Sequence, residues 1–476
     1  MCIVKLLRAA VCAIPVCLIL HTPISIAAET PKKDNELSAE LTALDNRFRE
    51  FSSHFYSALN RADKPSKIDN MGLLTGKIDY YRTQNQALNA TATILNNLTL
   101  VEKNIDTTPI INICAVLLET NEWNTAAQLY NKLKKQGDKS LVSNVSFSFA
   151  KYHFARNQWK ETIALVESIR SDLPPEDFHH ALLMHGIALQ HLQKHRIALK
   201  EYEKIPPSSR YYAAARLNMA VANIRQDWWT DAHIIINDLL NKKGQKRENE
   251  LTDRLYTVLG YSLLQQQYFR NSRDAFRNVS LNGKYTNQAL LGLALTAAYQ
   301  EDYVGALNAV NILRDKKTRD LAVDEANLLL PYFYEKLKQP TTANTGYLEA
   351  IKYYEGRTQN IRLALSKDSD TLIKKVVATD SSTISVNDEI VELGDNLPKF
   401  IFDNIRLLAR FQPDMDRLGD PVLRREYETV NNSYQNILRK TTQTVLDEKI
   451  SHLTHYMNQS RYGLARMQDH DAIVPQ

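Results

Sequence analysis

His191 and His195 stand four residues apart, a spacing that on a helix sets two imidazoles on one side, where they could share a divalent metal. No Glu lies between them in the order a zinc hydrolase uses, and the pair flanks a predicted helix–helix turn. A solvated His191 and a packed His195 are therefore expected, not a metal site. Of the four cysteines, Cys2, Cys12 and Cys17 lie in an N-terminal apolar stretch. Removing that stretch leaves Cys114 with no intrachain partner. Cys114 falls where the sequence otherwise places small residues, so it is expected to act as a compact apolar filler. The sequence holds neither a Gly-rich phosphate loop nor a Gly-x-Ser-x-Gly elbow. No catalytic, cofactor-binding or metal-binding set is expected.

The elements that must carry these residues repeat. Small residues fall at Cys114, Ala150, Gly186, Ala220, Gly260 and Ala294, at intervals of 34 to 40 residues. Nine positions after each comes a ring: Trp123, Trp159, His195, Trp229, Phe269 and Tyr303. Three later stands a second small residue, at Ala126, Thr162, Ala198, Ala232, Ser272 and Ala306. A larger side chain follows at Tyr130, Val166, Tyr202, Ile236, Phe276 and Val310, and another at Leu133, Ile169, Ile205, Leu239, Val279 and Leu313. Offsets of 3, 4 and 3 put all four on one helical face. Small residues in both helices let them approach closely, so each unit reads as an antiparallel helix hairpin. A seventh unit over Leu328–Ile351 keeps Ala343, Tyr347 and Ala350 in phase. It has Pro331 where the first small residue belongs, which predicts a kinked first helix.

This pattern resembles the tetratricopeptide repeat. The segment NEWNTAAQLYNKL carries the aromatic-x-x-small-x-x-x-aromatic core, and HGIALQHLQKHRIALKEYEKIPP and LGYSLLQQQYFRNSRDAF repeat it with Gly186 and Gly260 in their first helices. Pro174 and Pro206-Pro207 stand where the family commonly ends its second helix. Thr162 departs from the family's Ala, as do the bulky residues at the last core position. The resemblance covers roughly residues 106–357. It implies an all-α, right-handed α-solenoid of about seven TPR-like hairpins, binding a protein or peptide partner in a concave groove lined by the first helices. Counting onto this sequence, it places Phe147, Phe154, His180, Gln190, His191, Arg225, Arg254, Tyr261, Gln265 and Tyr299 in that groove.

The remainder of the chain sets its address and its ends. With 44% hydrophobic and 24% charged residues and only 14 Gly and 15 Pro, the composition suits long helices joined by short turns. Lys5 and Arg8 precede an apolar run from Ala9 to Leu20, and Ser25-Ile26-Ala27 offers a small-x-small cleavage site. Residues 1–27 therefore read as a signal peptide cleaved near Ala27, with an uncleaved inner-membrane anchor as the alternative. The apolar run is short of the roughly 20 residues a spanning helix needs. Cleavage lowers the net charge from +5 to +3, too little to imply a nucleic-acid partner. Of six Asn-x-Ser/Thr sequons, those at Asn144 and Asn278 fall in predicted helices, so a bacterial periplasm is expected over a glycosylating pathway.

Residues 28–105 read as an N-terminal helical capping region, with a degenerate repeat around Ala87–Leu98. Its stripe Leu37, Leu41, Leu44, Phe48, Phe51, Phe55, Leu59 suits either a cap on the array or a coiled-coil seam for oligomerisation. Residues 106–357 form the repeat array and 358–396 a polar connector, whose stretch from 366 onward reads as an exposed loop. Residues 397–476 form a C-terminal helical region with a stripe of Ile450, Leu453, Met457, Leu464 and Met467, interrupted by Ser460.

These features predict a non-catalytic protein–protein interaction scaffold of the bacterial cell envelope. Assembly of a surface structure, a secretion complex or a wall-synthesis complex would suit it, with membrane association only peripheral and through a partner. The alternative is a periplasmic glycan-cleaving enzyme, similar to the soluble lytic transglycosylases that join a helical superhelix to a lysozyme-like domain. Glu167-Ser168 has that family's Glu-Ser order but falls in a repeat's second helix, and the C-terminal region lacks a Gly-rich segment. A cleft with convergent carboxylates in residues 397–476 would favour the enzyme.

Overall fold

The computed structural model describes residues 31–63, 67–169, 173–241, 249–316, 318, 320–367, 372–379, 381–386 and 389–473. The predicted export segment lies outside the described residues. A long helix α1 (Pro31–Asp63) precedes a hairpin of α2 (Met71–Thr83) and α3 (Ala87–Asn96) and a short α4 (Leu98–Lys103). Seven hairpins follow. They are α5 (Pro109–Glu119) with α6 (Trp123–Gln136), α7 (Lys139–Phe154) with α8 (Trp159–Ser168), and α9 (Pro175–His191) with α10 (His195–Glu203). Then come α11 (Tyr212–Ile224) with α12 (Trp229–Asn241), α13 (Asn249–Gln265) with α14 (Phe269–Arg277), α15 (Thr286–Tyr299) with α16 (Tyr303–Arg314), and α17 (Leu321–Lys336) with α18 (Pro340–Lys367).

One turn geometry builds all eight hairpins. Asn85, Asn121, Asn157, Gln193, Asp227, Gln267, Glu301 and Lys338 each sit two residues before a second helix in the left-handed region, with φ between 55° and 63°. In each turn the following N–H reaches back five residues, as in Glu122 to the Leu117 carbonyl at 2.7 Å and Lys194 to that of Leu189 at 2.8 Å. The left-handed residue itself bonds three residues back, so the last carbonyls of the first helix are satisfied in a Schellman motif. None of the eight is glycine, although a left-handed residue with a Cβ costs about 1–2 kcal/mol. The first of these hairpins is the degenerate repeat expected near Ala87. Ile78 and Ala87 occupy its small and ring positions, while Ala90 keeps the second small one.

The small residues do what their spacing requires. Cys114, Ala126, Ala150, Thr162, Ala198, Ala220, Ala232, Ser272, Ala294 and Ala306 are fully buried. A Cβ on Gly186 would come closer than 3.0 Å to the Tyr202 ring, and one on either Gly260 or Gly292 would meet Phe276 as closely. Phe276 is thus wedged between the first helix of its own hairpin and that of the next. In the seventh hairpin Pro331 lies inside α17, and Gly346 of α18 faces it, so a glycine opposite makes room for the ring.

After α18 the chain runs through α19 (Leu372–Thr379), an antiparallel pair β1 (Thr383–Val386) and β2 (Glu389–Glu392), then α20 (Lys399–Leu418) and α21 (Pro421–Ile473). The exposed connector expected from residue 366 is corrected here. Leu372, Val376, Ile384, Val386, Val391 and Leu393 are buried against α20 and α21. Alternation over so short a stretch, among many polar residues, conceals a two-stranded pair that is stable only when something covers one face.

The α1 stripe is filled within the chain. Phe48, Phe51 and Phe55 are buried, Phe55 lies 4.4 Å from Phe411 between ring centroids, and Phe48 lies 6.0 Å from Tyr434. The seam that could have served oligomerisation through Leu37–Leu59 is therefore occupied by α20 and α21. The same core takes in Leu88 and Ala92 of α3 and Ala350, Tyr354 and Ile361 of α18, so both ends of the array are tied to one terminal module. Ser460, which interrupts the α21 stripe, is fully buried. Gly463, one turn on, approaches the Tyr347 ring too closely to carry a Cβ. α21 thus stands where the first helix of a further hairpin would stand. Among the described residues no helix is long and apolar enough to cross a membrane.

Candidate binding surface

First helices pack on their successors: α5 on α7, α7 on α9, α9 on α11, α13 on α15 and α15 on α17. Among the described residues the second helices form no comparable row of contacts, so the array curves with its first helices inside. The middle of that inner face is closed. Leu183, Leu217, Val221, Leu264, Leu291 and Leu295 are buried there in one core that runs along hairpins three to seven of the main array.

Three of the residues predicted to line the groove are closed in as well. Phe147 is buried beneath His180, its ring 5.7 Å from the imidazole. Gln190 is buried, donates to the Asn218 carbonyl at 3.1 Å and accepts from the Tyr202 hydroxyl. Tyr261 is buried and donates to the Gln288 carbonyl at 2.7 Å, and burial holds its phenol far from ionising. Counting by repeat identifies the helix face but not how tightly neighbouring hairpins close over it.

The others lie along the two margins of the face. His191, Arg225, Gln265 and Tyr299 each fall five residues after the first small residue of four successive hairpins, and His180, Arg254 and Gln288 each fall six before it. Gln265 is exposed, while His180, His191, Arg225, Arg254, Gln288 and Tyr299 are half-buried. Phe154 is half-buried and packs on Trp159 at 5.5 Å, an internal contact of its own hairpin. His180 stacks on Tyr211 at 4.7 Å and Tyr299 on Phe269 at 5.6 Å. Nε of Arg254 and Oε1 of Gln288 are buried without a hydrogen-bond partner. Both atoms are enclosed by the protein, on neighbouring first helices.

His191 corrects the expectation of a solvated imidazole. It stacks on Trp159 at 4.1 Å with an interplanar angle of 7°, and burial together with the Arg225 charge holds it down to about 4. His195 is likewise shifted downward, by burial and then Arg225, and its Nε2 meets the Gln193 side chain at 3.0 Å. Among the described residues no group of His, Cys, Asp or Glu could hold a metal ion. Cys114 is buried and free, its thiol pushed up to about 12, as suits a filler. The convergent acids near the C-terminal module, Asp324 and Glu389, are buried on Arg357 and do not line an open cleft.

The fold is a TPR-like array of helical hairpins. No family model matches the sequence, and no curated protein matches it. Among solved structures, RapI in its apo form is 14% identical over 72% of this chain and 98% of its own, with a TM-score of 0.43. The apo quorum sensor NprR from B. thuringiensis is 11% identical over 58% of this chain and 97% of its own, at 0.32. The TPR domain of P58(IPK) is 14% identical over 65% and 98%, at 0.23. These overlays are loose, and it is the eight hairpins themselves that define the fold.

Proposed function

We propose that this chain is a non-catalytic scaffold that holds an extended segment of a partner protein along the margins of its inner face. The observation that carries the reading is the pair of side-chain rows on the two margins of the inner face, Arg225, Gln265 and Tyr299 on one and His180, Arg254 and Gln288 on the other. An extended backbone offers an acceptor and a donor in alternation, which suits the guanidinium and carboxamide groups of Arg254 and Gln288 along one margin. Arg225, Gln265 and Tyr299 supply the amphipathic and cationic anchors along the other margin. The exported, periplasmic address and an envelope complex as the setting belong to the same proposal and rest on the N-terminal sequence.

The test is photocrosslinking in the native cell, with the probe placed at Arg225, Arg254 or Gln265 and, as control, at Lys200 on the opposite side of a hairpin. Capture of one protein from the three inner positions and not from Lys200 is the expected result. Equal yields from all four positions would remove the inner face from the mechanism. The scaffold chain itself should begin near Ala28 and come from the soluble periplasmic fraction. Residues 1–20 retained in membranes would sink that part of the proposal.

A further inference from the structure

A cavity of about 500 Å³ opens between the end of α16 and the helices α17 and α18. Arg314, Lys316, Lys352 and Arg357 line it, with the Thr318 hydroxyl among them. Arg357 is almost fully buried, held by Asp324 at 3.2 Å and by Glu389, which is itself 3.7 Å from Lys449. That floor is buried and its charges balance. The rim differs. Among the described residues Glu349 is the one carboxylate of the lining, and it pairs with Arg314 at 3.5 Å. Lys316 and Lys352 pair with no carboxylate among the described residues, so the rim carries excess positive charge. Thr318 accepts from Asn287 at 2.8 Å, which leaves its O–H to donate into the cavity. A Cβ on Gly356 would meet nothing within 4 Å, so that wall stays open.

We propose that this cavity binds a phosphate-bearing anion. Ammonium groups are compact point charges that suit a tetrahedral, multiply charged phosphoryl group. Planar carboxylates are read best by a free guanidinium fork, and the buried fork here is already engaged by Asp324 and Glu389. The volume exceeds that of a single phosphate and falls in the range of small-molecule sites.

The whole chain is titrated calorimetrically with tripolyphosphate at about 0.15 M salt, and floated with phosphatidylcholine vesicles with and without phosphatidic acid. Wild type should bind tripolyphosphate saturably. Lys316→Glu with Lys352→Glu should weaken it about a hundredfold, the loss of two charge-assisted contacts. Lys200→Glu with Lys204→Glu makes the same charge change elsewhere and should leave it unaltered. Unchanged helical circular dichroism in both variants separates lost binding from lost folding. Flotation that needs phosphatidic acid and Lys316 and Lys352 assigns the phosphate to a lipid headgroup, whereas tripolyphosphate binding alone assigns it to a soluble ligand. Either supports the site. Equal binding of citrate, equal loss in the control variant, or no saturable binding to either probe overturns it.

Discussion

The imidazole of His191 lies flat on Trp159 of the preceding hairpin, with the Arg225 guanidinium close enough to disfavour its charge. It is neutral in the folded chain at pH 7 and titrates near 4 there, while an unfolded imidazole titrates near 6.5. Between those values the unfolded chain binds more protons. The stability this histidine supports is thus present above about 6.5 and is lost as pH falls toward 4. Replacing His191 with Phe keeps a ring on Trp159 and removes the proton. Chemical denaturation at pH 7 and pH 4.5 should show the variant losing less stability on acidification than wild type. The difference should be about 1–2 kcal/mol after allowing for partial exposure. Equal losses in the two proteins would mean the stack does not hold the ring neutral.

At the scale of the hairpin, one large side chain and two glycines fix how neighbouring units meet. Phe276 fills the space between Gly260 and Gly292, and a methyl on either glycine would drive into its ring. Gly292→Ala should therefore lower stability by about 1–3 kcal/mol, although alanine is the better helix former. Gly76 of α2 is the counter-case: exposed, with nothing within 4 Å of an added Cβ. Gly76→Ala should raise stability by about 0.5–1 kcal/mol. Thermal melts of the pair give opposite signs if the wedge is real, and the same sign if it is not.

Across the whole molecule, the array is held at both ends by chain segments that are distant in sequence. Arg156 makes a two-pronged contact to Asp45 of α1 at 3.0 and 3.1 Å, donates to Asn121 at 3.0 Å and lies 3.4 Å over the Tyr152 ring. Burial alone would raise the Asp45 carboxyl, but the charges of Arg156 and Arg49 outweigh it and hold the carboxyl below its ordinary range. Asn404 of α20 reaches the same carboxylate at 3.4 Å, and the Phe400 N–H donates to the Ala155 carbonyl at 3.1 Å. Arg156→Ala would leave Asp45 buried with Arg49 as its one charged partner, and should cost about 3–5 kcal/mol. Hydrogen exchange should show α1 and the start of α20 losing protection together, while hairpins four to six of the main array keep theirs. Uniform loss along the chain would mean that the module and the array unfold as one body.

The repeats were legible because each hairpin solves the same local problem. Small residues at Gly186 and Ala198 and a ring at Tyr202 must recur wherever two helices cross at that distance, so periodicity exposes them. The left-handed turns were not legible as such, because Asn, Gln, Asp, Glu and Lys fill them where glycine would have announced them. Of the candidate site, the sequence found the helix face that holds Arg225, Arg254 and Gln265. It did not reveal that Phe147, Gln190 and Tyr261 are shut inside, since that depends on how far one first helix leans over the next. Nor did it reveal that the α1 stripe meets Phe411 and Tyr434, or that Gly463 makes a seat for Tyr347. Periodicity records contacts between neighbours in the chain. Contacts between segments hundreds of residues apart leave no period, and only the folded chain brings them together.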